Sequence, residues 1–370
     1  MKTIAIIENN IIATNTIRRA LVERLVSAGY DVHILTTGNA EGLQLARNNG
    51  FSVIDVMGST QHPSDILKYL KNLRSALKKI RPHAVLTFTI RPAIWGNIVT
   101  RLLIIPTITN ITGIGPLFER NNIAYKAARM LYKFVLKKTA HVFFQNYDDL
   151  NIFTSRSFVS KERAERIPGS GVDAGYYAPI QVEKSEVFTF LFISRLVKDK
   201  GIIEYVEAAK KMRLEGLPCR FNIIGPLWEQ NLKDNTITKD DIERWKKEGA
   251  VNYLGEQKDV RPFIAAADCV VLPSYREGTS NVLLEASAME RPSITCNTTG
   301  CREIVEDGVT GFLCEVRSAG DLAEKMKKMY ELEPSSRLLM GKNARMKVMR
   351  EFSKQQVIDA YLRAIEKVTS

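Results

Sequence analysis

Two carboxylates eight residues apart, Glu277 and Glu285, bracket the uncharged stretch Gly278-Thr279-Ser280-Asn281 inside "SYREGTSNVLLEASAMERP". An apolar strand precedes this stretch, and a helix starts near Asn281. Backbone N–H groups at a helix start lack intrahelical partners and attract anions and hydroxyls. Gly278 allows a ligand to approach the backbone closely. Glu285, about one turn into the helix, can accept both hydrogen bonds of a vicinal diol such as a ribose, and Glu277 can do the same for sugar hydroxyls. The same two acids also suit a plainer role, complementing the helix dipole and pairing locally. A second strand–turn–helix, "FISRLVKDKGI", places Arg195 and Lys200 on its turn and Gly201 at the start of the next helix. Arginine grips a diphosphate bidentately and lysine as a point charge. Both elements occupy equivalent strand ends, and together they would bind a nucleoside diphosphate sugar.

The elements that must position these residues follow a βαβ rhythm. In the first half, strands are expected at Thr3–Ile7, Val32–Thr36, Ser52–Asp55, His83–Thr89, Pro106–Asn110 and His141–Gln145, with amphipathic helices such as Thr16–Ala28 and Asp65–Lys79 between them. The Gly-, Pro-, Ser- and Tyr-rich stretch from Arg166 to Glu186 reads as a linker. The rhythm resumes at Phe188, with strands at Arg220–Ile224, Ala250–Leu254, Asp268–Pro273, Ser293–Cys296 and Gly311–Cys314. Helices are expected at Gly201–Glu215, Val260–Ala266, Val282–Met289, Cys301–Glu306 and Ala319–Glu331, and a final one in "FSKQQVIDAYLRAIEKV". The expected class is α/β with two doubly wound domains facing a cleft, ligands lying beyond the carboxyl ends of the strands.

Length and composition agree with two soluble domains: 370 residues, 45% hydrophobic and 25% charged. The start, "MKTIAIIENN", reads as a buried strand and not as a secretion signal. The uncharged run Leu102–Phe118 is broken by two prolines and two glycines and is short for a membrane span. The five cysteines fit no zinc spacing and read as reduced, buried thiols. The net charge is +12, of which residues 1–183 hold +10, with 23 Lys+Arg against 13 Asp+Glu. Such a balance suggests an anionic partner. A nicotinamide-dinucleotide enzyme is excluded, because "ENNIIATNT" after the first strand has no glycine. A nucleic-acid binder is not supported beyond charge alone.

The segments "SRLVKDKGI", "NIIG" (Asn222–Gly225), "YLGEQKDV" (Tyr253–Val260), "AADCVVLPSYREGTSNVLLEASAMERP" and "TTGCREIVEDGVTGFL" (Thr298–Leu313) run in order over most of residues 188–331. They resemble the retaining, nucleotide-sugar-dependent glycosyltransferases of the GT-B fold with an E-x7-E motif. The resemblance implies an acceptor-binding domain (1–180), a donor-binding domain (181–352) and a C-terminal helix (353–370) crossing back to the first. It implies that Arg195 and Lys200 bind the donor diphosphate, that Glu277 contacts the donor sugar and that Glu285 holds the ribose. It also places backbone groups of Gly278, Thr279, Ser280, Asn281 and Val282 on sugar and phosphate, with Gly225, Leu254, Glu256 and Gln257 near the base. "TFTIRPAIWGN" (Thr87–Asn97) and "TNITGIGPLF" (Thr109–Phe118) are similar to a subgroup that extends polyprenyl-diphosphate-linked oligosaccharides.

On the acceptor side the resemblance points to Asn15, Arg91, Thr112, Gly113 and Gly115. A lysine is more usual where Arg91 stands, and "ENNIIATNTIRR" replaces the family's Gly-Gly loop after the first strand. His83 begins a strand and reads as structural. By analogy the donor is a UDP-sugar; GDP donors occur elsewhere in the family. Transfer is expected with retention and, since the chain has no D-x-D sequence, without a divalent metal or other cofactor.

Lys126, Arg129, Lys133 and Lys137, spaced by three, four and four, form one stripe of an amphipathic helix. Such a stripe suits either an ordinary surface helix or docking on an anionic membrane. The expected partners are therefore a nucleotide sugar, a polyprenyl-diphosphate-linked saccharide and an anionic membrane surface, with no nucleic acid. The expected location is cytoplasmic, peripheral on the inner face of the cytoplasmic membrane. The nearest rival is a same-fold transferase on a soluble acceptor, or a glycan synthase or phosphorylase.

Overall fold

The computed structural model describes residues 1–56, 63–118, 123–183, 185–228 and 235–370. The chain divides into two compact units, residues 1–170 with 355–370, and residues 171–354.

The first unit holds β1 (Thr3–Ile7), α1 (Ile11–Asn15), α2 (Arg19–Ser27), β2 (Asp31–Thr36), α3 (Ala40–Asn48), β3 (Ser52–Asp55) and α4 (Pro63–Ile80). It continues with β4 (Ala84–Phe88), α5 (Asn97–Leu102), β5 (Thr107–Ile111), α6 (Ile123–Leu136), β6 (His141–Phe144), α7 (Tyr147–Ser155) and β7 (Ala164–Arg166). Its sheet runs β3-β2-β1-β4-β5-β6-β7, every pair parallel. The order reverses between β1 and β4, so the crevice of this sheet opens at their carboxyl ends. The central strands β4 and β5 are buried along their whole length, as parallel strands covered by helices on both faces must be, and their buried polar side chains pair with one another, Thr87 with Thr109 at 2.9 Å.

The second unit holds β8 (Phe188–Ile193), α8 (Ile202–Leu214), β9 (Cys219–Ile224), α9 (Lys239–Lys247), β10 (Asn252–Tyr253), α10 (Arg261–Ala266) and β11 (Cys269–Leu272). Then come α11 (Asn281–Ala288), β12 (Ser293–Cys296), β13 (Gly311–Cys314), α12 (Ala319–Glu331) and α13 (Pro334–Glu351). The parallel sheet order is β10-β9-β8-β11-β12-β13, with its reversal between β8 and β11. These are the strands that lead into Arg195–Lys200 and Glu277–Asn281. The final helix, α14 (Lys354–Thr369), packs Val357, Ile358, Tyr361 and Ile365 into the core of the first unit beside Ile4, Ile6 and Phe88.

Four expectations change. The boundary expected at 180/181 falls at Ser170/Gly171, because Val172 enters the second core and Arg345 donates to the carbonyls of Ala174 and Tyr177 at 3.2 and 3.4 Å. The helix expected over Thr16–Ala28 starts three residues late: Thr16 lies outside the helical region (φ −122°, ψ −93°), residues 16–18 form a turn after the short α1, and α2 begins at Arg19. Cys301–Glu306 forms turns, not a helix. Arg129 does not face outward with its stripe; it is half-buried and donates to the Leu117 carbonyl at 2.8 Å, while Lys126, Lys133 and Lys137 are exposed. All five cysteines are free and buried. No described helix is long and apolar enough to cross a membrane.

Candidate active site

The second unit gathers its site at the carboxyl ends of β8, β9 and β11. After β8 the chain makes a short 3-10 turn, Lys198–Lys200, and enters α8 through Gly201 at φ +75°. A Cβ at Gly201 would lie 2.1 Å from the Pro273 carbonyl oxygen, so only glycine lets this turn lie against the end of β11. The two turns are tied together: Tyr275 N–H donates to the Asp199 carbonyl at 2.9 Å. Asp199 is itself held by Asn235, whose Oδ1 accepts from Asp199 N–H at 2.8 Å and whose Nδ2 donates to the carboxylate at 2.9 Å.

This construction brings Lys200 onto Glu277. Nζ and Oε1 form a direct ion pair, with the side chains only 17% and 13% exposed. An ammonium and a carboxylate thus face one another at the sheet's switch point. The Glu277–Ser280 loop is laced to the loop after β12, with Glu277 N–H on the Thr299 carbonyl (3.0 Å) and Ser280 N–H on the Gly300 carbonyl (3.1 Å). Gly300 has φ +79°, and a Cβ there would meet the Glu277 carbonyl oxygen at 2.5 Å.

The Ser280 side chain is turned inward, away from the backbone face of the loop. It is buried and caps α11, its hydroxyl accepting from Leu283 N–H. Asn281 and Val282, half-buried, begin α11, where N–H groups lack intrahelical partners by position. Gly278 and Thr279 lead into them, the Thr279 hydroxyl donating to the Gly278 carbonyl at 2.9 Å.

Glu285 lies one turn further along α11. Burial pushes its carboxyl up to about 7 from an ordinary 4.5, opposed by a hydrogen bond from the Tyr177 hydroxyl and by the charge of Lys354. A carboxyl so enclosed is a strong acceptor for a paired hydroxyl ligand once ionised. Tyr177 lies in the stretch that reads as a linker from sequence, and nothing local marks it.

Arg195 is exposed on the turn after β8, its guanidinium 4.8 Å from the centre of the Trp228 ring. Gly225 closes β9 at φ +145°, where a Cβ would fall 1.7 Å from the Ser194 carbonyl oxygen. Its carbonyl accepts from the Tyr253 hydroxyl at 2.9 Å and its N–H donates to the Gly255 carbonyl. Leu254 is half-buried, Gln257 donates to its carbonyl at 2.6 Å, and Glu256 is exposed beside them. The arrangement is a rim of backbone and polar groups next to two cations, fit to hold a flat base at one end and a diphosphate at the other.

In the first unit Asn15 follows β1, Arg91 follows β4, and Thr112, Gly113 and Gly115 follow β5, so all lie along the carboxyl edge of adjacent strands. Asn15 donates to the Gly42 carbonyl at 2.9 Å, and Arg91 is exposed. His83 sits at the opposite, amino end of β4 and accepts from Thr3 N–H at 3.0 Å, a structural role. The sequence reading missed Glu8 and Arg18. They form a buried ion pair directly beyond β1, made possible by the break between α1 and α2. Burial raises the Glu8 carboxyl to about 7 despite Arg18, whose guanidinium also covers the Phe88 ring at 4.0 Å. Asn110 Nδ2 donates to the Tyr361 hydroxyl in the same region. An acid directly after the apolar run Ile4–Ile7 was the available signal.

A parallel sheet whose switch point carries two cations, a helix start and two acids is an α/β site suited to an anionic, hydroxyl-bearing ligand. Residues 178–347 match the family described as glycosyl transferases group 1, and residues 13–169 match the glycosyl transferase 4-like domain. Together these account for most of the chain, which belongs to the glycosyltransferases.

The N,N'-diacetylbacillosaminyl-diphospho-undecaprenol alpha-1,3-N-acetylgalactosaminyltransferase of Campylobacter jejuni is 26% identical over 82% of this chain and 80% of its own length. The UDP-Gal:alpha-D-GlcNAc-diphosphoundecaprenol alpha-1,3-galactosyltransferase of Escherichia coli is 27% identical over 79% and 77%. Among solved structures, Anabaena HepE in complex with UDP and glucose superimposes with a TM-score of 0.80 at 16% identity, over 99% of this chain and 100% of that one, a likeness of fold.

Proposed function

We propose that this glycosyltransferase moves a sugar from a UDP-sugar to a hydroxyl of a polyprenyl-diphosphate-linked saccharide, with retention at the anomeric carbon and without a metal. The observation that carries the donor half is the Lys200–Glu277 pair at the switch point beside the start of α11. Lys200 and Arg195 take the diphosphate, Glu285 the ribose and Glu277 the hydroxyls of the sugar. As the sugar–phosphate bond breaks, charge grows on the departing UDP, and the two cations with the helix-start N–H groups stabilise it. The acceptor oxygen bonds the anomeric carbon from the same face, and its proton passes to the leaving phosphate oxygen. The chain's lack of any D-x-D sequence supports charge neutralisation by Arg195 and Lys200 themselves.

The acceptor half is supported by relatives whose names specify diphospho-undecaprenol-linked acceptors, one with a UDP-sugar donor. Asn15, Arg91 and Thr112–Gly115 lie at the edge where that acceptor would be met. A lipid-linked acceptor places the enzyme on the inner face of the cytoplasmic membrane, an assignment supported by the exposed Lys126, Lys133 and Lys137. Transfer from a panel of labelled UDP- and GDP-sugars to undecaprenyl-diphosphate-linked and water-soluble saccharides tests this reading. Incorporation from a UDP-sugar into the lipid-linked acceptor is expected. Transfer only to soluble saccharides, or only from GDP-sugars, would refute it.

A further inference from the structure

The positive charge of the chain is concentrated in one block. Residues 66–147 contain fourteen Lys+Arg and a single Asp+Glu, Glu119, a net +13 against +12 for the whole chain. This block builds α4, α5 and α6 of the first unit. It also exposes large apolar side chains: Leu102 (69%) at the end of α5 and Ile104 (91%) in the turn that follows, and Met130 (74%) and Phe134 (54%) on α6. The turn is pinned in place, with Leu103 N–H on the Val99 carbonyl (3.1 Å) and Ile105 N–H on the Thr100 carbonyl (2.9 Å). Ile104 is held at φ +57°, a region that β-branched residues avoid, and its side chain is in solvent. The left-handed residue closes α5, its N–H on the Arg101 carbonyl at 3.3 Å, but nothing within the unit covers the side chains of Leu102 and Ile104.

An open cleft flanks the turn on each side. One, about 380 Å³, lies between α4 and α5 and is lined by Leu70, Ile98, Val99 and Leu102 with Lys71, Arg74 and Lys78 at its rim. The other, about 360 Å³, lies between α5 and α6 and joins Ile104, Ile105 and Val135 to Arg101 and Lys138. Neither lining contains a carboxylate. Arg101 bridges to α6, its guanidinium 4.4 Å from the centre of the Phe134 ring. Aliphatic side chains projecting from a ring of cations match the interface of an anionic bilayer, where apolar groups enter the acyl boundary and cations meet the phosphates. A nucleic acid would use the charge but gains nothing from a bare leucine and isoleucine, which offer no stacking face.

We propose that the Leu102–Ile104 turn, with the clefts on either side of it, is a wedge that inserts into an anionic lipid surface. The proposal rests on the lipid-linked acceptor proposed above and adds the element that enters the membrane. Sedimentation of the full chain with phosphatidylglycerol–phosphatidylcholine vesicles, and with phosphatidylcholine vesicles alone, tests it against the double variant Leu102→Ser, Ile104→Ser. The wild type should bind the anionic vesicles only, and the variant should bind them about tenfold or more weakly with an unchanged melting temperature.

Equal binding of the two proteins would overturn the wedge while leaving a purely electrostatic membrane contact. Failure of the wild type to sediment with anionic vesicles would overturn it outright, as would such failure combined with tight binding to mixed-sequence duplex DNA. Transfer to a short-chain, water-soluble prenyl-diphosphate acceptor should be the same in both proteins. If the wild type lacks that transfer, the proposed reaction fails, and the vesicle result still decides the wedge.

Discussion

Lys200→Ala is expected to lower kcat by about two to three orders of magnitude, with a much smaller rise in KM for the donor. The reason is when the interaction matters. Charge on the diphosphate grows as the sugar departs, so a cation aimed at it stabilises the transition state more than the bound substrate. Losing one preorganised electrostatic partner of this kind typically costs about 10²–10³ in turnover.

A folding defect must be separated from this effect. Lys200 is the ion-pair partner of Glu277, and both are largely enclosed. Removing the ammonium alone leaves an unpaired, poorly solvated carboxylate, which destabilises by at most about 3–5 kcal/mol. The double variant Lys200→Ala, Glu277→Gln should recover the melting temperature but not the turnover. Near-normal kcat in Lys200→Ala would remove Lys200 from the mechanism.

Glu285→Gln is expected to stabilise the free protein above pH 7 and to weaken donor binding. The carboxyl is raised by burial to about 7 in the folded chain, against an ordinary 4.5. A raised folded value means that the native state holds the proton more tightly than the unfolded chain does. The associated stability is therefore complete below about 4.5 and is lost as the pH climbs through 7. The loss at pH 8 is at most about 3.5 kcal/mol, at about 1.4 kcal/mol for each pH unit between the two values. Glutamine does not ionise, so melting curves of the variant should lie several degrees above the wild type at pH 8 and converge with it near pH 4.5. The same change removes the charged acceptor for the ribose diol, and UDP affinity should fall by about ten- to a hundredfold. Stability that does not differ between the two proteins at pH 8 would contradict the buried, ionisable Glu285.

These two residues also show what could be seen in the sequence. Lys200, Glu277 and Glu285 were legible because each sits on a strand–turn–helix unit whose chemistry is local: an apolar strand, a polar turn with glycine, a helix start. The parallel sheets were legible for the same reason, since β1, β4, β8 and β11 are short apolar runs between amphipathic segments. The residues that complete the site come from far away in the chain. Tyr177 reaches Glu285 from a stretch with the composition of a linker, and Asn235 holds Asp199 from beyond α8 and β9. Trp228 lies under Arg195 with no periodic signal around it.

Local patterns misled where tertiary contacts decide orientation. Arg129 has the spacing of its stripe, yet the Leu117 carbonyl draws it inward. The helical pattern begins at Thr16, yet residues 16–18 form a turn and Arg18 reaches Glu8 before α2 begins. Leu102 and Ile104 open an uncharged run whose composition does not say which way its side chains face, and their exposure is set by the way α5 ends.

The central claim is that the second unit holds an activated sugar at the paired ends of β8 and β11. A crystal structure with an intact UDP-sugar tests it most directly. The diphosphate should lie within hydrogen-bonding distance of Lys200 Nζ and Arg195, with the ribose hydroxyls on Glu285 and the sugar against Glu277. A donor bound elsewhere in the chain, with Lys200 still engaged only by Glu277, would contradict the account.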